Sequence, residues 1–301
     1  MAESKRAVVL GGGGPVGVGW EVGLAAGLAA EGVDLRRADA VIGTSAGSIT
    51  GAYLAGGTDA TELAAQVPDL FAANTAGSGV DQVDVTAMAA LMDLLIGVLA
   101  DTDKGTRQER LAQVGQAALQ ADTISEDAYV GALAGALGDQ PWPDGFRCTA
   151  VDTATGAFKV WDQDAGVPLE RAVASSCSVP GIYPPVTIDG ARYTDGGSRS
   201  PLNADLAAGH DIVVVVSVMP FSLPPGLVDE RFQRFFDAQA AEIEGLRAGG
   251  AQVELIVPDD EFLALSGYGM TLMDFGLIGP AVASGTKLGK AEATRIAAIW
   301  Q

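Results

Sequence analysis

A chain of 301 residues with 38 acidic and 18 basic side chains carries a formal net charge of −20, which repels phosphate backbones and excludes nucleic acid as a natural partner. Forty-eight per cent apolar residues are enough for a sizeable core, and no repeat or Pro- or Ser-rich linker divides the chain, so a single domain over 1–301 is expected. The charged start Met1–Arg6 leads into too short an apolar run for a signal peptide, and no stretch approaches the ~20 apolar residues of a membrane span. Two cysteines, Cys148 and Cys177, make no disulfide framework and no Cys/His cluster has metal-ligand spacing. The expectations are therefore a reduced, cytoplasmic setting without metal or cofactor.

The first predicted strand, 6–11, runs into Gly11-Gly12-Gly13-Gly14-Pro15-Val16-Gly17, followed by a helix over 17–31. Consecutive glycines let backbone N–H groups converge on a ligand oxygen, and the helix N-terminus adds positive potential. Such a loop can hold the oxyanion of an acyl-transfer intermediate. Pro15 has no N–H, so the donors are sought among Gly12, Gly13 and Gly14. Gly12, Gly14 and Gly17 also fit the dinucleotide fingerprint, which requires an acidic residue closing the next strand. Glu31, Asp34 and Asp39 lie nearby, but none closes an apolar run.

The second strand, 39–43, turns through Gly43-Thr44-Ser45-Ala46-Gly47 into a helix over 45–56. A G-x-S-x-G sequence between strand and helix forms an elbow that holds the serine in a strained conformation with its hydroxyl pushed outward, and Gly43 and Gly47 give the turn room. A mainly helical insertion follows, over about 58–140. Within it, Met88, Leu91, Met92, Leu95, Val98 and Leu99 share one helical face, which packs in the core or forms an acyl groove or lid. Asn74–Gly79 before it is predicted to be a hinge or mobile loop.

Strands are predicted at 146–152 and 157–161, then a helix at 169–176. A hairpin over 186–193 turns on Asp189-Gly190 in a type I′ geometry. Asp195-Gly196-Gly197 ends that hairpin; the turn accounts for Asp189, whereas Asp195 is either a second Asp-Gly turn or a carboxylate placed to accept the Ser45 proton. The remaining elements are a short helix near 203–208, strand 211–218, helix 229–248, strand 252–257 and helix 285–300. Alternating strands and helices imply a three-layer α/β/α sandwich around a mostly parallel sheet. The chain has one histidine, His210, and it precedes a strand, whereas catalytic groups in parallel sheets gather at strand C-terminal ends. A nucleophilic Ser45 therefore needs a carboxylate base, and Asp195 is the candidate. Trp142 and Trp161 are read as packing residues.

These three motifs resemble those of bacterial patatin-like phospholipases, in order and at plausible separations. Ala174–Pro185 and Arg199–Asp205 extend the likeness, so that it covers about residues 5–218. The resemblance implies a lipid acyl hydrolase with a serine-aspartate dyad, Ser45 and Asp195. Its oxyanion hole would lie at Gly12, Gly13 and Gly14, its elbow glycines at Gly43 and Gly47, and its base motif would include Gly196 and Gly197. It implies a lipid or acyl ester substrate, and peripheral membrane contact is compatible with it. The chain departs from the family pattern at Val16, where Arg or Lys is common, and at Trp20-Glu21, where many bacterial members have His-Ile. A missing cation shifts the expectation from phospholipids towards neutral glycerides, short esters or thioesters. Arg192 and Arg199 are read as solvated surface charges rather than its replacement. An acyltransferase or thioesterase using the same pair, and a non-catalytic nucleotide-binding protein, are the alternatives.

Overall fold

The computed structural model describes residues 4–82, Gly97, 105–222 and 230–300. Its centre is a mixed sheet of eight strands: β1 Arg6–Leu10, β2 Ala40–Gly43, β3 Phe146–Asp152, β4 Phe158–Trp161, β5 Val186–Ile188, β6 Ala191–Asp195, β7 Ile212–Val216 and β8 Gln252–Ile256. The path is β5-β6-β3-β2-β1-β7-β8, with β4 paired to β3. Strands β3, β2, β1, β7 and β8 are parallel, while β4, β5 and β6 join antiparallel.

Alternation along each strand divides two helical layers. Val8 and Leu10 of β1 point to one face and Ala7 and Val9 to the other. The first face is covered by α1 Gly14–Ala30, α2 Ala46–Ala55, α3 Ala60–Thr75, α5 Glu126–Leu137, α6 Leu169–Ser176, α8 Asp260–Leu265 and α9 Ile278–Trp300. The second is covered by α7 Glu230–Ala248, whose Ile243 and Leu246 pack on the β strands, and by α4 Arg107–Gln120, whose Leu111 and Val114 meet Val151.

Helix α1 is buried nearly all round because α9 lies directly against it. A Cβ on Gly23 would stand 2.2 Å from the Val282 carbonyl oxygen, and one on Gly285 2.1 Å from that of Trp20. The two backbones can approach this closely only where neither carries a side chain. This contact fixes α1, and with it the glycine loop at its N-terminus. The helix begins at Gly14, three residues before its predicted start, because Pro15 is pre-set for a first helical turn. The insertion contains α3, α4 and α5 among its described residues, and the face of Met88, Leu91, Met92, Leu95, Val98 and Leu99 lies outside them. Asn74 and Thr75 belong to the last turn of α3, and glycines at positive φ, Gly77 and Gly79, follow.

Candidate active site

The sheet brings the distant motifs together through the two edges of β3. One edge carries β4, paired along Cys148–Val151. The other is shared: β2 occupies it as far as Gly43 opposite Cys148, and β6, running the opposite way, ends with Asp195 opposite Ala150. Two strands approaching head to head along one edge must bring their C-terminal ends together. Ser45 follows the end of β2, and Asp195 closes β6.

Ser45 has φ 53° and ψ −118°, a left-handed conformation that costs an L-residue roughly 1–3 kcal/mol and is kept only where the surroundings enforce it. Enforcement is visible on every side. The Ser45 N–H donates to Ser176 Oγ at 3.0 Å, and its carbonyl accepts from Ser48 Oγ at 2.6 Å and Cys177 Sγ at 3.2 Å. Thr44 N–H donates to the Leu10 carbonyl and Gly47 N–H to that of Gly11, each at 3.0 Å. A Cβ at Gly43 would lie 2.4 Å from the Gly47 oxygen, and one at Gly47 would lie 2.1 Å from the Leu10 oxygen, so both elbow glycines are required by contact. Ser176 and Cys177 lie in the Ala174–Pro185 stretch that carries the family likeness, but nothing local in it, or at Ser48, marks a side chain that supports the Ser45 backbone 131 residues away.

Asp195 is only 4% exposed and Ser45 6%. Desolvation by burial raises the Asp195 carboxyl to about 7, against the opposing effects of the Gly197 N–H and the Ser45 side chain, which favour its charged form. The Gly197 N–H donates to Asp195 Oδ1 at 2.7 Å. Gly196 fits tightly under the strand end, where a Cβ would stand 2.1 Å from Thr149 Oγ1. Behind the pair, Asn203 Nδ2 donates to Thr44 Oγ1 at 3.0 Å, to the Ser200 carbonyl at 2.8 Å and to the Gly196 carbonyl at 3.3 Å. One buried amide thus ties the elbow to the base motif.

The glycine loop is adjacent to the elbow, but its donors differ from expectation. Gly12 N–H donates to the Pro201 carbonyl at 2.8 Å, so it is not available to an oxyanion. A Cβ on Gly12 would lie 3.4 Å from that of Ser45, an ordinary contact that places the residue directly beside the nucleophile candidate. The N–H groups of Gly13, Gly14 and Ala46 have no partner among the described residues. Ala46 follows the nucleophile candidate at the first position of α2, where an N–H has no helical acceptor. It lines the same cleft as Ser45 and was not among the donors expected from the sequence.

Ser45, Ala46 and Gly14 open into a cleft holding about 500 Å3 not filled by protein atoms, part of it continuous with solvent. Its walls come from α3, α5 and the segments around Tyr183 and Met273. The polar tips among them face away: Tyr129 Oη donates to the Ala174 carbonyl and Tyr183 Oη to that of Val80. What remains is an apolar slot leading from the serine.

His210 lies just before β7, at the N-terminal end of the parallel strands and so opposite the end that carries Ser45, where Lys5 meets the same strand end. Trp161 and Trp142 are packing residues, with Trp161 Nε1 donating to Ser175 Oγ. Asp189 and Gly190 both have positive φ, as their turn requires. Arg192 and Arg199 are not merely solvated charges: Arg192 donates to the Pro185 carbonyl, and Arg199 grips Asp205 and Asn203. Neither reaches into the cleft. Val16 is fully buried, so no cation stands at that point of the loop.

A family model described as patatin-like phospholipase matches residues 8–208, about two thirds of the chain. Among solved structures, VipD from Legionella pneumophila aligns with TM-score 0.43 at 13% identity, over 93% of this chain and 67% of that one. The type III effector protein ExoU aligns with TM-score 0.36 at 13% identity, over 95% and 54%. No curated protein matches. The matched segment spans the glycine loop, the serine elbow and the aspartate motif: the chain belongs to the patatin-like phospholipase family.

Proposed function

We propose that this chain hydrolyses carboxylic esters of lipids through an acyl-enzyme on Ser45, with Asp195 as the only proton acceptor. The observation that carries the reading is the meeting of a strained serine with a buried, desolvated carboxylate at the mouth of an apolar cleft. Ser45 Oγ attacks the acyl carbonyl carbon and its proton passes to Asp195. The negative charge on the carbonyl oxygen is held by N–H groups of Gly13, Gly14 and Ala46. Collapse breaks the ester bond, and the departing alkoxide takes the proton from Asp195. A water then attacks the acyl carbon, gives its proton to Asp195, and the second collapse returns that proton to Ser45 as the fatty acid leaves.

An unperturbed aspartate is a weak base at neutral pH because its conjugate acid is too strong. Burial removes much of that handicap, since a carboxyl near 7 is matched to working pH. The apolar cleft suits an acyl chain, and the buried Val16 favours neutral esters over phospholipids. The dinucleotide reading finds no support in the geometry: β2 closes at Gly43 instead of an acidic residue, and the Gly12 N–H is taken.

The test is stoichiometric labelling by a fluorophosphonate, lost in Ser45→Ala, joined to hydrolysis of a panel of triglycerides, phosphatidylcholines and thioesters. An unlabelled Ser45, or hydrolysis unchanged in Asp195→Asn, defeats the proposal. Transfer to added glycerol that outpaces hydrolysis would reassign the protein as an acyltransferase. Phospholipids hydrolysed faster than neutral esters would remove the inference from Val16.

A further inference from the structure

On the second face of the sheet, away from the acyl cleft, lies a smaller hollow of about 220 Å3, partly open to solvent. It is lined by Arg107, Arg199, Ser200, Pro201, Gln239 and Glu242, among others. Gln239, on α7, is 1% exposed, and neither its Nε2 nor its Oε1 has a partner among the described residues. A buried amide with all its hydrogen-bonding capacity unused is a costly feature for a chain to keep. Its neighbours explain what it is for.

Two arginines, Arg107 and Arg199, line the same hollow. Arg107 donates to the Arg199 carbonyl and forms no ion pair among the described residues, and the two positive charges disfavour one another. Arg199 is fixed by Asp205 at 2.7 Å, by Asn203 Oδ1 at 2.7 Å and by the ring of Phe158, whose centroid is 4.2 Å away. Glu242 accepts the Ala204 N–H at 2.8 Å. Burial raises its carboxyl pKa. In a chain of net charge −20, Arg107 and the Asp205-paired Arg199 bring two guanidiniums to the hollow that the idle Gln239 amide also lines.

We propose that this hollow is a phosphate-binding site, distinct from the acyl cleft, in which the Arg107 and Arg199 guanidiniums and Gln239 Nε2 donate to the phosphate oxygens. Forked guanidiniums match a tetrahedral oxyanion. Gln239 Oε1 and the Glu242 carboxylate are acceptors, so they require a donor on the ligand. A P–OH group supplies one, which makes inorganic phosphate or a phosphomonoester a better fit than sulfate or a phosphodiester. The site is wired to the candidate chemistry. Pro201 holds the Gly12 N–H, Ser200 Oγ accepts from Leu202 and Asn203 N–H, and Asn203 reaches Thr44 and Gly196. An occupant would stiffen the segment that supports both catalytic loops.

Calorimetric titration of the full chain with inorganic phosphate tests this, with sulfate and glycerophosphocholine as comparison ligands and Ser45→Ala as the control. Saturable binding at millimolar concentration or tighter is expected in both the wild type and Ser45→Ala. In Arg107→Gln or Gln239→Leu it should be about 10- to 100-fold weaker, as befits the loss of a charge-assisted or buried hydrogen bond. Circular dichroism checks that each variant is folded, and Arg107→Lys should restore part of the affinity. Glycerophosphocholine binding as well as phosphate would identify the source as a lipid headgroup and remove the role of the P–OH. No saturable binding, or equal affinity in the wild type and both variants, overturns the site, as does sulfate binding as tightly as phosphate. Because Ser45→Ala keeps the hollow intact, these results stand whether or not the hydrolase reading survives.

Discussion

Replacing Asp195 by asparagine should make the protein more stable while removing its activity, and the gain should depend on pH in a fixed sense. Asparagine keeps the shape and can still accept the Gly197 N–H, so the change mainly deletes a charge from a buried place. Burial lifts the carboxyl to about 7 in the folded protein, about three units above its unfolded value, which corresponds to about 4 kcal/mol. The sign follows from which state releases its proton first. Below about pH 4 both states are protonated and the group contributes no penalty; as pH rises towards about 7 the unfolded chain ionises while the native one does not, so wild-type stability falls; above that the penalty is constant. Relative to the wild type, Asp195→Asn should gain roughly 1–2 kcal/mol at about pH 5 and about 4 kcal/mol at about pH 8. Urea unfolding followed by tryptophan fluorescence at several pH values measures the difference directly. A gap that does not change with pH, or an asparagine variant less stable than the wild type under alkaline conditions, would refute the account of Asp195 as a desolvated base. In the same variant kcat should fall by about 10²–10⁴, the usual share of a general base.

Wild-type kcat/KM should rise with pH and level off above about 7, because the base works ionised and its carboxyl is raised to that value; a flat profile between mildly acidic and neutral pH would contradict this. Ser45→Gly should be about 1 kcal/mol more stable than Ser45→Ala, because glycine accepts a φ of 53° and alanine does not; thermal melts of the two inactive variants decide it. Glu21→Gln should raise stability at neutral pH, and its advantage should shrink as pH falls towards the ordinary glutamate range. Glu21 is buried and neither carboxyl oxygen has a well-formed hydrogen bond among the described residues. Burial raises its pKa against the weaker opposing help of Thr50 and the Gly11 N–H, so its ionisation opposes folding; melting curves against pH show whether the advantage fades on acidification. Ala132→Leu, on the wall of the acyl cleft, should move the preferred acyl length to shorter chains while leaving acetyl esters untouched. Each methylene displaced from the wall should cost about fourfold in kcat/KM, the worth of one buried CH2, as read from an ester series.

The three motifs were legible because each carries a local necessity: a turn too tight for a side chain at Gly43 and Gly47, a helix that Pro15 can begin, an aspartate that no hairpin turn explains. The absence of a usable histidine pointed to the base by elimination, and its position before β7 agrees. What stayed hidden depends on pairings across the chain. Gly12 loses its N–H to Pro201, a contact invisible in either segment alone. Ser176, Cys177 and Asn203 act through groups more than a hundred residues away in sequence. The last helix begins at Ile278, not near 285, because Pro280 sits in its first turn, where a missing N–H is harmless. Helix α8 was missed altogether, being only six residues long.

Since β2 and β6 abut only when both are laid along β3, the reactive centre has no existence in any part of the chain shorter than residues 40–195. A nascent polypeptide released before the hairpin is made would carry the serine with nothing to receive its proton. If the proposed pair carries the reaction, hydrolysis would report on completed assembly, because topology alone keeps the serine from its base until then.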